Sequence, residues 1–157
     1  MNNKCLLTVI IPVYNTEKYI KRCIKSVLNQ SLKYIKIIII NDASTDLSSL
    51  IIHDFESYEH IKIIENPYNL GQGESRNIGL NLVDTDYFCF LDSDDWVDTL
   101  SYETAVRALE ENRNCDMAIF GIKTEYENSR CSALRYDYSS NIIDGGFCLL
   151  YTSPSPR

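Results

Sequence analysis

At residues 87–96 the chain reads YFCFLDSDDW, an apolar run that passes directly into three carboxylates within four positions. Such a run is typical of a buried strand, and anions this close together repel one another. Hard divalent cations prefer carboxylate oxygens, so the pattern predicts a cation site where the strand ends. Asp92 and Asp94 are two residues apart, and on an extended backbone we expect them to point the same way.

Outward from this stretch, apolar runs alternate with segments of helical periodicity. The runs predict strands at residues 8–13, 36–40, 61–64, 87–91 and 117–122. The strand at 36–40 is continuous in isoleucine after its first residue, as expected when both faces are covered. Alternating strands and helices predict an α/β fold with a mostly parallel sheet and helices on both faces.

Polar residues follow each of the first four predicted strands. They are Tyr14 and Asn15 after the first, Asp42 after the second, residues 69–76 after the third, and residues 92–95 after the fourth. Ligands of parallel sheets bind beyond the carboxyl ends of the strands. Four separate segments are therefore predicted to converge on one binding edge.

Charge and composition exclude several classes of protein. The 157 residues carry a net charge of −7, with a pI of about 4.8, which argues against a nucleic-acid-binding protein. They are 45% hydrophobic and 24% charged, the balance of a globular domain.

The cysteines and the apolar runs bear on location. None of the six cysteines forms a CxxC pair, so zinc is not expected, and we interpret them as reduced thiols of a cytoplasmic protein. No segment resembles a signal peptide, and no apolar run approaches the roughly 20 residues of a membrane helix.

Five motifs together resemble a known family. In chain order they are TVIIPVYN at 8–15, NDASTD at 41–46, NLG at 69–71, SRNIG at 75–79 and LDSDDW at 91–96. Their order and spacing resemble the N-terminal, donor-binding part of a family 2 glycosyltransferase with the Rossmann-like GT-A fold. The resemblance implies a nucleotide-sugar donor, usually carrying UDP, and inverting transfer to an acceptor hydroxyl.

The resemblance also implies roles for single residues. Pro12 and Tyr14 would line the base pocket, with Asn15 beside them, and Asp42 would accept a hydrogen bond from the uracil edge. Arg76 would approach the diphosphate.

At the last motif, Asp92 would lie near the ribose and the metal, and Asp94 would ligate manganese or magnesium. The acceptor would be a glycan or a lipid-linked sugar, as in cell-surface polysaccharide synthesis. A cytoplasmic location follows, compatible with peripheral association at the inner face of the membrane.

The chain departs from the family in sequence and in length. Asn41 stands where an aspartate is frequent, Ala43 where glycine is common, and Ser75 where alanine is frequent. The family normally continues for about another hundred residues, which supply the acceptor site and a catalytic base that we do not place here.

The length predicts a division of the chain. We expect residues 5–122 to form the nucleotide-sugar-binding part, and 123–150 an incomplete continuation of the same domain, truncated on its C-terminal side. Residues 151–157 read as a non-native or disordered tail.

Two other functions stay open at this point. One is a non-catalytic remnant that binds nucleotide without turnover. The other is a phosphatase of the haloacid-dehalogenase type, whose apolar strand also ends in DxD. That class normally has threonine or valine two residues after the second aspartate, where this chain has Trp96. The donor sugar, the acceptor and the linkage are not encoded in these motifs.

Overall fold

The computed structural model describes residues 6–112, 114–120, 123–124, 132–133 and 148–152. Its strands are β1 (Leu7–Val13), β2 (Ile35–Asn41), β3 (Ile61–Glu65), β4 (Tyr87–Phe90), β5 (Met117–Phe120), β6 (Lys123–Thr124), β7 (Ser132–Ala133) and β8 (Cys148–Thr152). Its helices are α1 (Ile20–Leu28), α2 (Ser48–His53), α3 (Gln72–Leu80) and α4 (Ser101–Glu111). The five strands predicted from the sequence are confirmed, except that residues 121–122 lie outside the described residues.

The main sheet has the strand order β3-β2-β1-β4-β8-β5. Strand β1 pairs in parallel with β2 and β4, and β2 pairs in parallel with β3. Strand β8 is antiparallel to both β4 and β5, so it is the odd member of an otherwise parallel sheet. The predicted α/β class with a mostly parallel sheet is thereby confirmed.

Helices cover both faces of the sheet, as predicted. On one face, the buried residues of α1, α2 and α4 pack against alternate residues of β1, such as Val9 and Ile11. On the other face, α3 and the segment after it pack against Ile10, Ile38 and Ile40. Strand β2 contributes to both clusters, which explains its unbroken run of isoleucines.

Helix α3 approaches the sheet closely through Gly79. A Cβ on this glycine would lie 2.9 Å from Cδ1 of Ile40 and would also overlap Cγ2 of Ile10. The glycine of the SRNIG motif is therefore required for packing, and the packing fixes the height of α3 above β1 and β2.

The strands end at different levels along the edge that carries the motifs. In register, Val13 of β1 pairs with Asn41 of β2, which pairs with Glu65 of β3. Strand β4 ends at Phe90, which pairs with Ile10, three residues before the end of β1. The acidic residues that follow β4 therefore begin beside the last residues of β1.

Strand β8 differs from the sequence-based division of the chain. Tyr151 and Thr152 pair with β4 in this strand, whereas the sequence assigned them to a tail. The prediction relied on the lack of a core-forming pattern in residues 151–157, whereas the CLLYT run at 148–152 ends in the aromatic and β-branched residues typical of a short strand. The rest of the predicted tail, residues 153–157, and most of the predicted continuation 123–150 lie outside the described residues.

Among the residues that the structure describes, no helix combines the length and the apolar character needed to cross a bilayer.

Candidate active site

The candidate site lies on the carboxyl edge of the sheet, meaning residues 14–15, 42–46, 66–71 and 91–96. These segments follow β1, β2, β3 and β4. The structure joins them into two clusters, one around Asp42 and one around Asp92. Helix α3 and the glycine before it contribute to both, because Gly71 and Ser75 face the first cluster and Gln72 and Arg76 face the second.

Asp42 is a buried hydrogen-bond acceptor at the end of β2. Asp42 is only 2% exposed to solvent. Oδ1 accepts from Asn66 Nδ2 at 2.8 Å and from the Leu70 amide at 2.9 Å, while Oδ2 accepts from the Gly71 amide at 2.8 Å. These contacts hold the loop between β3 and α3, including the left-handed turn at Gly71 with φ of 86°.

The hydrogen bonds also set the charge of Asp42. Burial alone raises the pKa of this carboxyl group, but donors from Asn66, Leu70, Gly71 and Ser75 outweigh it and lower the pKa below its usual value. A carboxylate has about four acceptor positions, and these four donors of the protein match that number. The predicted contact to a uracil edge stays a prediction.

Asp92 accepts two donors from α3 on one oxygen. Nη2 of Arg76 lies 2.6 Å from Oδ1, and Nε2 of Gln72 lies 2.9 Å from the same atom. The guanidinium carbon of Arg76 lies 5.6 Å from the ring centroid of Phe90, the last residue of β4. Arg76 was predicted from the sequence and Gln72 was not, although the spacing of four residues on a helix places both on one face.

The backbone after β4 turns instead of staying extended. The amide of Asp95 donates to the carbonyl of Asp92 at 3.0 Å, which closes a tight turn over Asp92–Asp95. The expectation of an extended backbone from Asp92 to Asp94 is therefore wrong, since the strand ends at Phe90. Their assignment as metal ligands does not depend on that geometry and stays a prediction.

The three carboxylates concentrate negative charge at this turn. Burial raises the pKa of Asp95, and repulsion from Asp94 and then Asp92 adds to the rise. Beneath the turn, the buried Cys23 thiol donates to the Asp92 carbonyl at 3.6 Å. Burial chiefly, and the same three carboxylates in addition, raise the pKa of this thiol well above its ordinary value.

The turn has the donor type that a divalent cation requires. Carboxylate oxygens suit manganese and magnesium, and the local charge favours a cation. Within the described part of the chain, no group of three or more histidine, cysteine, aspartate or glutamate side chains is arranged to hold a metal ion.

The predicted base-pocket residues lie at the end of β1. Pro12 is buried within the strand, and Tyr14 is 47% exposed just beyond it. Asn15 adopts a left-handed conformation with φ of 52°. Its Oδ1 accepts from the amide of Thr45 at 2.8 Å, so Asn15 ties the loop after β1 to the loop after β2. Asn15 thus connects the two loops at this edge of the sheet, while the Tyr14 side chain is about half exposed to solvent.

Helix α1 and Gln30, which follows it, contact the acidic turn and the segment after it. Gln30 donates to the carbonyl of Asp98 at 2.8 Å and accepts from the amide of Tyr102 at 3.2 Å. The guanidinium carbon of Arg22 lies 3.2 Å from the Trp96 ring centroid, a stacked cation–π contact. Gln30 was not predicted from the sequence, because nothing local to it indicates partners about 70 residues away.

Comparison with known proteins identifies the family of the chain. The family model described as "Glycosyl transferase family 2" matches residues 8–145. The chain is 38% identical over 113 residues to "Glycosyltransferase GlyA" of Streptococcus pneumoniae, covering 72% of this chain and 16% of that protein. It is 42% identical over 113 residues to an uncharacterized glycosyltransferase of Haemophilus influenzae, covering 71% of this chain and 35% of that protein.

Solved structures are similar in the same region. The crystal structure of Staphylococcus aureus TarS in complex with UDP superimposes with a TM-score of 0.68 and 26% identity, over 80% of this chain and 37% of that one. A TarS complex with UDP-GlcNAc gives the same TM-score and identity. The chain spans less than half the length of each of these relatives and structures.

Proposed function

The chain belongs to glycosyl transferase family 2, and on this premise we propose that it forms the nucleotide-sugar-binding part of a glycosyltransferase that uses a UDP-sugar. The observation that carries the proposal is the pairing of Arg76 with Asp92 on an edge that also holds Tyr14 and Asp42. A cationic fork, a carboxylate-rich turn and an exposed aromatic ring are what a nucleoside diphosphate requires. The family match argues against the phosphatase alternative.

The base and the diphosphate would occupy different parts of the edge. Tyr14 offers its exposed ring for stacking on uracil, and Asp42 would accept a hydrogen bond from the edge of the base. Arg76 and the acidic turn would face the diphosphate. The TarS complexes with UDP and UDP-GlcNAc support the choice of uridine.

The chain's own residues would prepare the leaving group. Asp92 and Asp94 would contribute carboxylate oxygens to a manganese or magnesium ion, which takes further oxygen ligands from phosphate and water. When bound, that ion neutralises the charge that develops on the departing diphosphate. Arg76 would add a fixed positive charge on the same side.

The reaction would be displacement at the anomeric carbon of the donor sugar with inversion. The acceptor hydroxyl would lose its proton to a general base, which we do not assign among the described residues. We propose a glycan or lipid-linked acceptor in cell-surface polysaccharide synthesis, and a cytoplasmic location with peripheral association at the inner face of the membrane. These last assignments derive from the family.

Calorimetry with UDP, CDP and GDP, each with Mn²⁺ or with a chelator, tests the proposal. We expect UDP to bind best, and chelation to weaken it at least about tenfold. Asp94→Asn should reproduce the effect of chelation. The matched control is Asp84→Asn, because Asp84 precedes β4 at the opposite edge and pairs with Lys36 there, so UDP affinity should be unchanged.

Two results would contradict the proposal in different ways. Equal UDP affinity with and without chelator would refute the proposed role of a cation in UDP binding. Absence of any UDP binding by folded protein would refute the proposed nucleotide site.

A further inference from the structure

The ion pair between Arg76 and Asp92 joins two groups that the proposed function assigns to different partners. Arg76 is assigned to the diphosphate and Asp92 to the cation, yet in the structure Nη2 and Oδ1 are 2.6 Å apart. The pair is partly open to solvent, with the Arg76 side chain 32% exposed and the Asp92 side chain 42% exposed. Each group is thus occupied by the other when nothing is bound.

Arg76 has hydrogen-bonding capacity that Asp92 does not use. Its Nε is buried and has no hydrogen-bond partner in the described structure. A guanidinium carries five N–H donors in a fixed fork, which matches two oxygens of a phosphate better than the single oxygen it contacts here. The base of the side chain is fixed on α3, while the guanidinium lies near the Phe90 ring and is not enclosed.

A dication and a guanidinium compete for Asp92. Both carry positive charge, and bringing them to the same carboxylate is unfavourable unless an anion lies between them. A diphosphate supplies that anion.

We propose that the Arg76–Asp92 ion pair is the resting state of an exchange in which a nucleoside diphosphate draws Arg76 from Asp92 and so frees Asp92 for a divalent cation. The inference rests on the proposed function, since it assumes a diphosphate at this edge. The ion pair then couples the binding of nucleotide to the binding of the cation. Each of the two weakens the Arg76–Asp92 contact that hinders the other, and the coupling is reciprocal.

The exchange makes a prediction that needs neither metal nor turnover. In the presence of a chelator, UDP must break the Arg76–Asp92 pair in order to bind Arg76. Asp92→Asn removes the charge that holds Arg76, so UDP should bind the variant about three- to tenfold more tightly than the wild type. The gain should vanish when Arg76 is already replaced, in Arg76→Met/Asp92→Asn against Arg76→Met.

Asp98→Asn is the matched control. It removes an exposed carboxylate six residues beyond Asp92, which lowers the same general repulsion of UDP but leaves the ion pair of Arg76 with Asp92 in place. UDP affinity under chelator should change less than about twofold, particularly at 0.3 M salt, where distant charges are screened. A gain for Asp98→Asn equal to that for Asp92→Asn would overturn the exchange and leave a simple charge effect.

A second measurement examines the cation side without nucleotide. Titration of Mn²⁺ followed by electron paramagnetic resonance should show tighter binding to Arg76→Met than to the wild type, by about three- to tenfold. Arg76→Lys keeps the charge without the fork and should stay near the wild type. Unchanged or weaker Mn²⁺ binding by folded Arg76→Met would overturn the inference, even if the Asp92 variants failed to fold.

These measurements distinguish failure of the exchange from failure of the proposed function. If the wild type binds UDP with Mn²⁺ but Asp92→Asn shows no gain under chelator, only the exchange is refuted. If no folded variant binds UDP under any condition, the proposed function is refuted and the exchange with it.

Discussion

Asn41 donates a hydrogen bond of 2.6 Å from Nδ2 to Oε2 of Glu65, its partner in the register of β2 and β3. Asn41 is 2% exposed and the Glu65 side chain is 44% exposed, so the hydrogen bond lies at the boundary between the core and solvent. This pair accounts for the departure at the start of the NDASTD motif, where an aspartate is frequent in the family. An aspartate would set two carboxylates face to face, while the asparagine supplies the donor that Glu65 needs.

Asn41→Asp should therefore destabilise the protein. We expect a loss of about 1–3 kcal/mol in the free energy of unfolding at pH 7, because a buried donor is replaced by a like charge. Urea denaturation measures it. The compensating variant is Asn41→Asp/Glu65→Gln, which restores a donor opposite the carboxylate and should recover most of the loss. A double variant no more stable than Asn41→Asp would show that the pair is not the cause.

Gly79→Ala should destabilise the packing of α3 on the sheet. The added Cβ meets Ile10 and Ile40, and overpacking of this kind costs about 1–3 kcal/mol. Gly73→Ala is the control on the same helix, because nothing lies within 4 Å of its Cβ position. There alanine should be neutral or stabilising by up to about 1 kcal/mol through helix propensity. Equal effects of the two substitutions in thermal melts would mean that α3 is not held by close contact at Gly79.

Asp42 should contribute stability that is lost at low pH. Its folded pKa lies below the unfolded value of about 3.9, so the stabilisation is fully present above roughly pH 4 to 5 and disappears as the pH falls through the folded pKa. Asp42→Asn should cost about 1–3 kcal/mol at pH 7, because it places an amide group among donors. The difference from the wild type should shrink steadily below pH 4. A difference that stays constant from pH 7 to pH 2.5 would exclude ionisation as the source.

Gln30→Glu tests the connection between α1 and the segment after the acidic turn. Nε2 donates to the carbonyls of Ser26 and Asp98, and a carboxylate there would face two acceptors instead. We expect a loss of about 3 kcal/mol at pH 7, since the site is buried. Asn29→Asp, the exposed neighbour, should cost no more than about 1 kcal/mol through the helix dipole. Similar losses in the two variants would indicate a general charge effect at the end of α1.

The sheet and its binding edge could be predicted because their signals are local. Runs such as the isoleucines of β2 identify buried strands, and the carboxyl ends of parallel strands must meet at one edge. The sequence could not show how Asp42 is used, since its partners at Leu70 and Gly71 lie 28 and 29 residues away. The role of Gln30 could not be predicted either, since its partners Asp98 and Tyr102 are about 70 residues away.

Two errors have a common origin. The expectation for Asp92 and Asp94 extended the strand beyond Phe90, where a turn closed by Asp95 replaces it. The division at residue 151 treated a segment without a core-forming pattern as a tail, although its first two residues belong to β8. In both cases the composition indicated a strand or a polar segment, but it did not fix the residue at which the strand ends. That boundary depends on hydrogen bonding to other parts of the fold.

The antiparallel insertion of β8 has a consequence for synthesis on the ribosome. Within the described residues, β5 joins the main sheet only through β8, which pairs with it on one side and with β4 on the other. Strands β1 to β4 and their helices can assemble as soon as they emerge. Strand β5, translated about 30 residues before β8, must wait for it, so a nascent chain exposes the edges of β4 and β5 in that interval. We expect ribosome-bound chains arrested between these strands to be the form most dependent on chaperones.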